Sequence, residues 1–211
     1  MNPVTNGLFT RWSKGTRFSM YNQYVETADG WMIKTMDGPL NAVVSQAVDG
    51  MKVEAYFPGR GYLYIRQLIP NVMRFSKAKG SITIDITRDS WQPIHYDVYI
   101  RARLTKDNSV WRPLAVDTPD KELKSGRQKI IIPFEVPDLT PDQHKVEAGN
   151  ALTTAFRLIG GFSQQTKNTR CIIHSIKMDV DLAGQQPVPQ PPQDNCENLI
   201  NELDSVLEKY R

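Results

Sequence analysis

Apolar and polar residues alternate one by one along several stretches of this chain, the period of a strand with one buried face. Ser81 to Thr87 reads Ser-Ile-Thr-Ile-Asp-Ile-Thr without a fault. Further on, Tyr96, Val98, Ile100, Ala102 and Leu104 share one side of a strand, and His95, Asp97, Tyr99, Arg101 and Arg103 share the other. Near the end, Ile172, His174, Ile176, Met178, Val180 and Leu182 form one stripe opposite Cys171, Ser175, Lys177, Asp179 and Asp181. That stripe predicts a last strand with His174 turned to the core. Further strands are predicted at Trp31 to Thr35, Val43 to Gln46, Lys52 to Phe57, Tyr62 to Gln67, Lys129 to Glu135 and Leu152 to Ile159. Turn residues separate them, at Asp49-Gly50, Pro58-Gly59-Arg60-Gly61, Lys79-Gly80, Asp107-Asn108-Ser109, Ser125-Gly126 and Gly160-Gly161. Many short strands joined by turns predict an all-β fold, a two-sheet antiparallel β-sandwich of jelly-roll type over residues 1–182. The one helical turn expected in this part follows Thr140-Pro141, a cap and a first helical proline.

The pattern changes after Leu182. Residues 183–193 are rich in proline and glutamine, which favours an extended, semi-rigid spacer. Residues 194–211 then read as an amphipathic helix: Asp194 can cap it, Glu197 stands three residues on, and Leu199, Leu203, Val206 and Tyr210 recur at helical spacing beside Ile200 and Leu207. A lone helix of this length is marginal in water, so its apolar stripe calls for a partner surface. It is the expected attachment or oligomerisation element.

Composition narrows the classes. In 211 residues, 40% are hydrophobic and 23% charged, as in an ordinary globular protein. No run approaches the roughly 18 apolar residues of a spanning helix, and no basic-then-apolar leader opens the chain, so neither membrane insertion nor a cleaved signal is expected. Cys171 and Cys196, the two cysteines, show neither a disulfide framework nor paired metal spacing. The net charge of +3 splits into −3 on residues 194–211 and +6 on the remainder, too dilute to predict nucleic-acid binding.

One stretch carries a recognisable motif. Asn6-Gly7-Leu8-Phe9-Thr10-Arg11-Trp12, Gly15-Thr16 and then Ala28-Asp29-Gly30-Trp31 resemble the opening of carbohydrate-binding-module-like jelly rolls in bacteriophage virion proteins, of tail-fibre or head-decoration type. The resemblance runs on through Ile65-Arg66-Gln67-Leu68-Ile69, Lys79-Gly80 and the strand at Ile172 to Leu182, with no counterpart for residues 107–149. It departs from the family at Gly30, where a basic residue is usual, and in having no stalk before the motif. It implies a jelly roll on the virion surface, made in the host cytoplasm and held to capsid or tail proteins, with copies of itself as further partners.

Catalytic patterns are weak by comparison. His95, His144 and His174 fall in no metal-binding spacing, so neither a metal nor a cofactor is expected, and His174 reads as a hydrogen-bonded structural residue. Glu54, Asp85, Asp97 and Glu135 lie on strands and are the carboxylates from which a glycosidase pair would have to be drawn. As outward residues of alternating strands they read as solvated. Tyr62, Tyr64, Trp91, Tyr99 and Trp111 are candidate aromatics for stacking on sugar rings or for a protein interface, with the interface preferred. The leading expectation is therefore a non-enzymatic virion structural protein. The alternatives are a glycan-binding module for host-surface recognition and, last, a carbohydrate-active hydrolase.

Overall fold

A computed structural model describes residues 2–20, 24–36, 41–57, 59, 61–89, 94–103, 111–117, 121–139, 152–160 and 167–182; at 20, 102–103, 111–117, 152–153 and 167 it describes the backbone alone. The predicted spacer and helix at 183–211 and the turn after Thr140 lie outside these residues. Thirteen strands are found among those described. They are β1 (Arg17–Met20), β2 (Val25–Glu26), β3 (Met32–Met36), β4 (Asn41–Ala47), β5 (Gly50–Phe57), β6 (Gly61–Ile69) and β7 (Lys79–Arg88), then β8 (Ile94–Arg103), β9 (Trp111–Asp117), β10 (Lys121–Leu123), β11 (Gly126–Glu135), β12 (Leu152–Gly160) and β13 (Lys167–Asp181). All nine predicted strands are present, and β1, β2, β9 and β10 are additional.

The strands pair antiparallel into two sheets. One has six strands in the order β1-β4-β5-β13-β7-β11, and the other has seven in the order β10-β8-β12-β6-β3-β2, with β9 also paired to β8. Their facing sides enclose one apolar core that includes Phe57, Leu63, Ile65, Ile82, Ile84, Ile86, Val98, Phe156 and Leu158. This is the two-layer, jelly-roll-like sandwich that the alternation predicts.

The aromatic opening of the chain ties these sheets together. Asn6 sits at a positive φ of 48°, and its side chain accepts from the Thr10 and Arg11 amides at 3.0 and 3.2 Å. The same side chain donates to the carbonyls of Arg11 and Asp29 at 3.0 and 3.2 Å. Asp29 in turn accepts from both the amide and the hydroxyl of Ser13, each at 2.7 Å. Trp31, fully buried against Phe9 with ring centroids 5.2 Å apart, donates through its indole nitrogen to the Asn6 carbonyl at 3.2 Å. Gly7 is required by close approach: a Cβ there would stand 2.3 Å from the Ile176 carbonyl oxygen, and the Ile176 amide donates to Gly7 at 2.9 Å. Trp31 leads into β3 of the seven-stranded sheet and Ile176 lies on β13 of the six-stranded one.

One part of the sequence reading is corrected. The stripe from Ile172 to Leu182 is not continuous, because the register of β13 against β7 slips between Ile173 and Ser175. His174 is the extra residue, a β-bulge, which flips the alternation on either side of it. Cys171 and Ile173 therefore share the core side with Ile176, Met178 and Val180, and Ile172 and His174 do not. His174 is nonetheless nearly buried and hydrogen-bonded.

Trp31→Ala should cost about 3–5 kcal/mol, the usual loss for a buried aromatic, out of a stability on the order of 5–15 kcal/mol. A thermal melt checks this. The variant should unfold many degrees early or aggregate, and an unchanged melting temperature would show that Trp31 does not help tie the two sheets together.

Candidate functional site

The outer face of the seven-stranded sheet carries the main cluster of tyrosine rings among the described residues, interleaved with cations. Period-two alternation places Tyr62, Tyr64 and Arg66 on that side of β6, and Asp97, Tyr99 and Arg101 on that side of β8, with Arg157 on β12 between them. The register aligns these into rows. Lys34, Tyr64, Arg157 and Asp97 are successive partners across four strands, and Met32, Arg66, Ala155 and Tyr99 form the row beside them.

Arg157 is the hub. Its Nε donates to Asp97 Oδ1 at 2.9 Å, its second terminal nitrogen pairs with Asp97 Oδ2, and the remaining one donates to the Tyr64 hydroxyl at 3.1 Å. Its guanidinium also lies over the Tyr62 ring, 4.5 Å from the centroid. The Arg157 and Asp97 side chains are only 17% and 2% exposed, so each charge depends on the other for what it has lost in hydration. Burial alone would lower the pKa of Arg157, but the hydrogen bonds to Asp97 and Tyr64 prevail and hold it above its ordinary value.

Cations continue around this hub. The Arg66 guanidinium lies 3.6 Å from the centre of the Tyr24 ring, and the Lys34 ammonium lies 5.0 Å from it. The Arg101 guanidinium covers the Tyr99 ring at 4.1 Å. Tyr62 and Tyr64 are half-buried, with ring centroids 6.2 Å apart, and Tyr64 meets Tyr99 edge-on at 6.4 Å. Tyr99 is 5% exposed and burial pushes its hydroxyl pKa up, so it supports the other rings and is not itself a stacking surface. Three of the five candidate aromatics thus meet here. Trp91 lies outside the described residues, as do Leu199, Ile200, Leu203, Val206, Leu207 and Tyr210, and Trp111 opens β9 opposite Arg103.

The four candidate carboxylates do not converge. Asp97 faces outward from one sheet and Asp85 from the other, and each has its own cation: Arg157 for Asp97, Arg127 for Asp85, Lys52 for Glu54 and Lys79 for Glu135. On the six-stranded sheet a hollow of about 630 Å³ is lined by Asp49, Asp85, Arg127, Lys129, His174 and Lys177 among others. In it, His174 Nδ1 faces two acceptors, the Asp49 carbonyl and carboxylate, both at 3.0 Å, so this nitrogen donates, and Nε2 is hydrogen-bonded to the Thr87 hydroxyl at 2.8 Å. The ring is held on both sides. Cys171 is buried in the core, where desolvation pushes its thiol up to about 12, so it is no nucleophile. No cluster of metal-ligating side chains occurs among the described residues.

No protein-family model and no curated protein sequence matches the chain. Solved structures similar to it include carbohydrate-binding modules and a bacteriophage tailspike domain. One, from work on promiscuous specificity within the β-sandwich superfamily of such modules, is 16% identical over 72% of this chain and 58% of its own, with a TM-score of 0.49. This chain thus spans less than two thirds of that protein. A family 11 module from Clostridium thermocellum, in complex with a β-1,3-1,4-mixed-linked tetrasaccharide, is 16% identical over 79% of this chain and 97% of its own, with a TM-score of 0.42. The enzymatically active domain of tailspike protein 4 from bacteriophage CBA120 is 11% identical over 85% of this chain and 21% of its own, with a TM-score of 0.47. At these distances no ligand or site transfers, and the side chains of this chain must carry the functional reading.

Sequence reasoning missed Tyr24, Lys34, Arg66 and Arg157 as members of the site. A signal for part of it was present: the wet faces of β6 and β8 read Tyr-x-Tyr-x-Arg and Asp-x-Tyr-x-Arg, where serine, threonine and lysine are the ordinary choice. Arg157 gave no such signal, because its role depends on which strands flank β12.

Arg157→Ala should cost about 3–5 kcal/mol, the usual loss when one member of a buried ion pair is removed. Chemical denaturation reads this, and a variant as stable as the parent would show that the pair is not needed to hold this face.

Proposed function

We propose that this protein is a non-catalytic glycan-binding module that seats a saccharide on the outer face of its seven-stranded sheet. The observation that carries this reading is the Tyr62–Tyr64–Arg157–Asp97 arrangement. Two partly exposed rings stand two residues apart on one strand, and a guanidinium held by a carboxylate lies beside them. Aromatic faces offer apolar contact to the C–H side of a sugar ring, and oriented N–H and hydroxyl groups match its hydroxyls. Because Asp97 and Tyr64 fix Arg157 in advance, little side-chain entropy remains to be lost on binding.

The rival reading is the virion attachment protein implied by the sequence resemblance, displayed on the particle exterior and bound to capsid or tail proteins or to its own copies. In its favour are exposed apolar side chains at Leu8, Val48 and Ile131, 55%, 108% and 63% exposed, which suit a protein contact. The two readings make different demands on the same molecule. Glycan binding needs the face of β6 and β12 to bind saccharide, whereas attachment would use Tyr62 and Tyr64, if at all, against a protein.

Screening the full chain against a panel of plant, bacterial and animal polysaccharides, followed by titration calorimetry on whatever binds, tests the proposal. Tyr62→Ala and Tyr64→Ala should each weaken binding about tenfold, the equivalent of about 1.4 kcal/mol. Tyr62→Ala should leave the melting temperature near the parent's, and Tyr64→Phe, which removes only the hydroxyl partner of Arg157, should lower it little. Binding that ignores both alanine substitutions, or no binding to any polysaccharide, would overturn the reading and favour the attachment protein.

A further inference from the structure

The charges on the β3, β6 and β12 part of the proposed binding face are unbalanced. Lys34, Arg66 and Arg157 project from these three strands, with Asp97 on the neighbouring β8. Asp97, the acid among them, is committed to Arg157 through both carboxylate oxygens. Of the other acids on this sheet, Glu26 pairs with Lys14, Glu122 sits opposite His95, and Asp117 stands on β9 opposite Tyr99, across β8 from Lys34 and Arg66. Among the described residues no carboxylate pairs with Lys34 or Arg66, which instead share the ring of Tyr24. The Nε of Arg66 is buried and finds no acceptor there. Two cations are therefore placed next to the Tyr64–Arg157 hub with no described carboxylate to compensate their charge, in partly buried positions where an added anion would be little screened.

Resting on the glycan-binding reading, we propose that the ligand is an acidic saccharide, a chain carrying uronate-type carboxylates that Lys34 and Arg66 receive while its rings lie against Tyr62 and Tyr64. The guanidinium of Arg66 offers the planar fork that a carboxylate fits, and Lys34 offers a mobile point charge one row away. A neutral chain would leave both cations facing its hydroxyls, without the charge-assisted hydrogen bonds that an acidic chain makes.

The test uses the full chain and paired probes that differ in charge alone: polygalacturonate against its methyl ester, with alginate and hyaluronan as further uronates and xylan and galactan as neutral chains. At least one uronate should bind more tightly than its neutral counterpart, and that advantage should shrink as salt is raised. Arg66→Gln and Lys34→Gln should each cut affinity for the uronate about tenfold, as loss of a charge-assisted hydrogen bond does, and bring the acidic-to-neutral ratio toward one. Neutral chains bound as well as acidic ones, with a ratio untouched by Arg66→Gln, would overturn this inference and leave the glycan-binding reading standing. Binding of polyglutamate as tight as that of the uronate would also overturn it, since charge alone would then suffice. No binding to any chain would sink the glycan-binding reading itself.

Discussion

A buried arginine and a buried aspartate, facing each other on neighbouring middle strands of one sheet, set what this molecule can present to a ligand. Arg157 and Asp97 each lose hydration on folding, and the two hydrogen bonds between them return what either alone would forfeit. Such a pair adds little net stability compared with well-packed apolar residues, yet it fixes geometry. It holds the guanidinium over Tyr62, orients the Tyr64 hydroxyl and engages both carboxylate oxygens of Asp97. A sheet face that would otherwise be a generic solvated surface becomes a rigid, aromatic and cationic one.

The part of the sequence that looks most distinctive has a different task. The Asn6-Gly7 step, with Phe9, Trp12, Asp29 and Trp31, is consumed by its own hydrogen bonds and by the core. It crosses from Ile176 on one sheet to Trp31 at the entry to the other, which explains why an amide side chain and a residue without a Cβ stand together there. A motif of that kind identifies how the sandwich is closed. It says nothing about what the sandwich holds, and a resemblance built on it reaches architecture more readily than function.

How far the sequence could be read follows from the physics of strands. Alternation is local, so Ser81 to Thr87 and the two sides around Tyr96 to Arg103 were legible directly, but the outward side was read as solvated, whereas Asp85, Asp97 and Tyr99 on it are buried under neighbouring side chains. The bulge at His174 was not, because an extra residue is defined only against the strand it pairs with, and here it reversed the faces of Cys171 and Ile172. The site was half legible for the same reason. Tyr62, Tyr64 and Tyr99 stood out as rings, but that they share a face with Lys34, Arg66 and Arg157 depends on the order β8-β12-β6-β3. The additional strands β2 and β10 are too short, at 2 and 3 residues, to leave a periodic trace.

The central claim is that the outer face of the seven-stranded sheet, and not the hollow beside His174 on the other sheet, is where a saccharide sits. Amide and side-chain NMR on the labelled protein, titrated with the tightest-binding oligosaccharide, decides between the two directly. The account predicts shifts confined to β3, β6, β8 and β12, with the Tyr62 and Tyr64 ring signals moving most. Shifts centred on Asp49, Arg127 and His174, with the tyrosine rings unmoved, would contradict it.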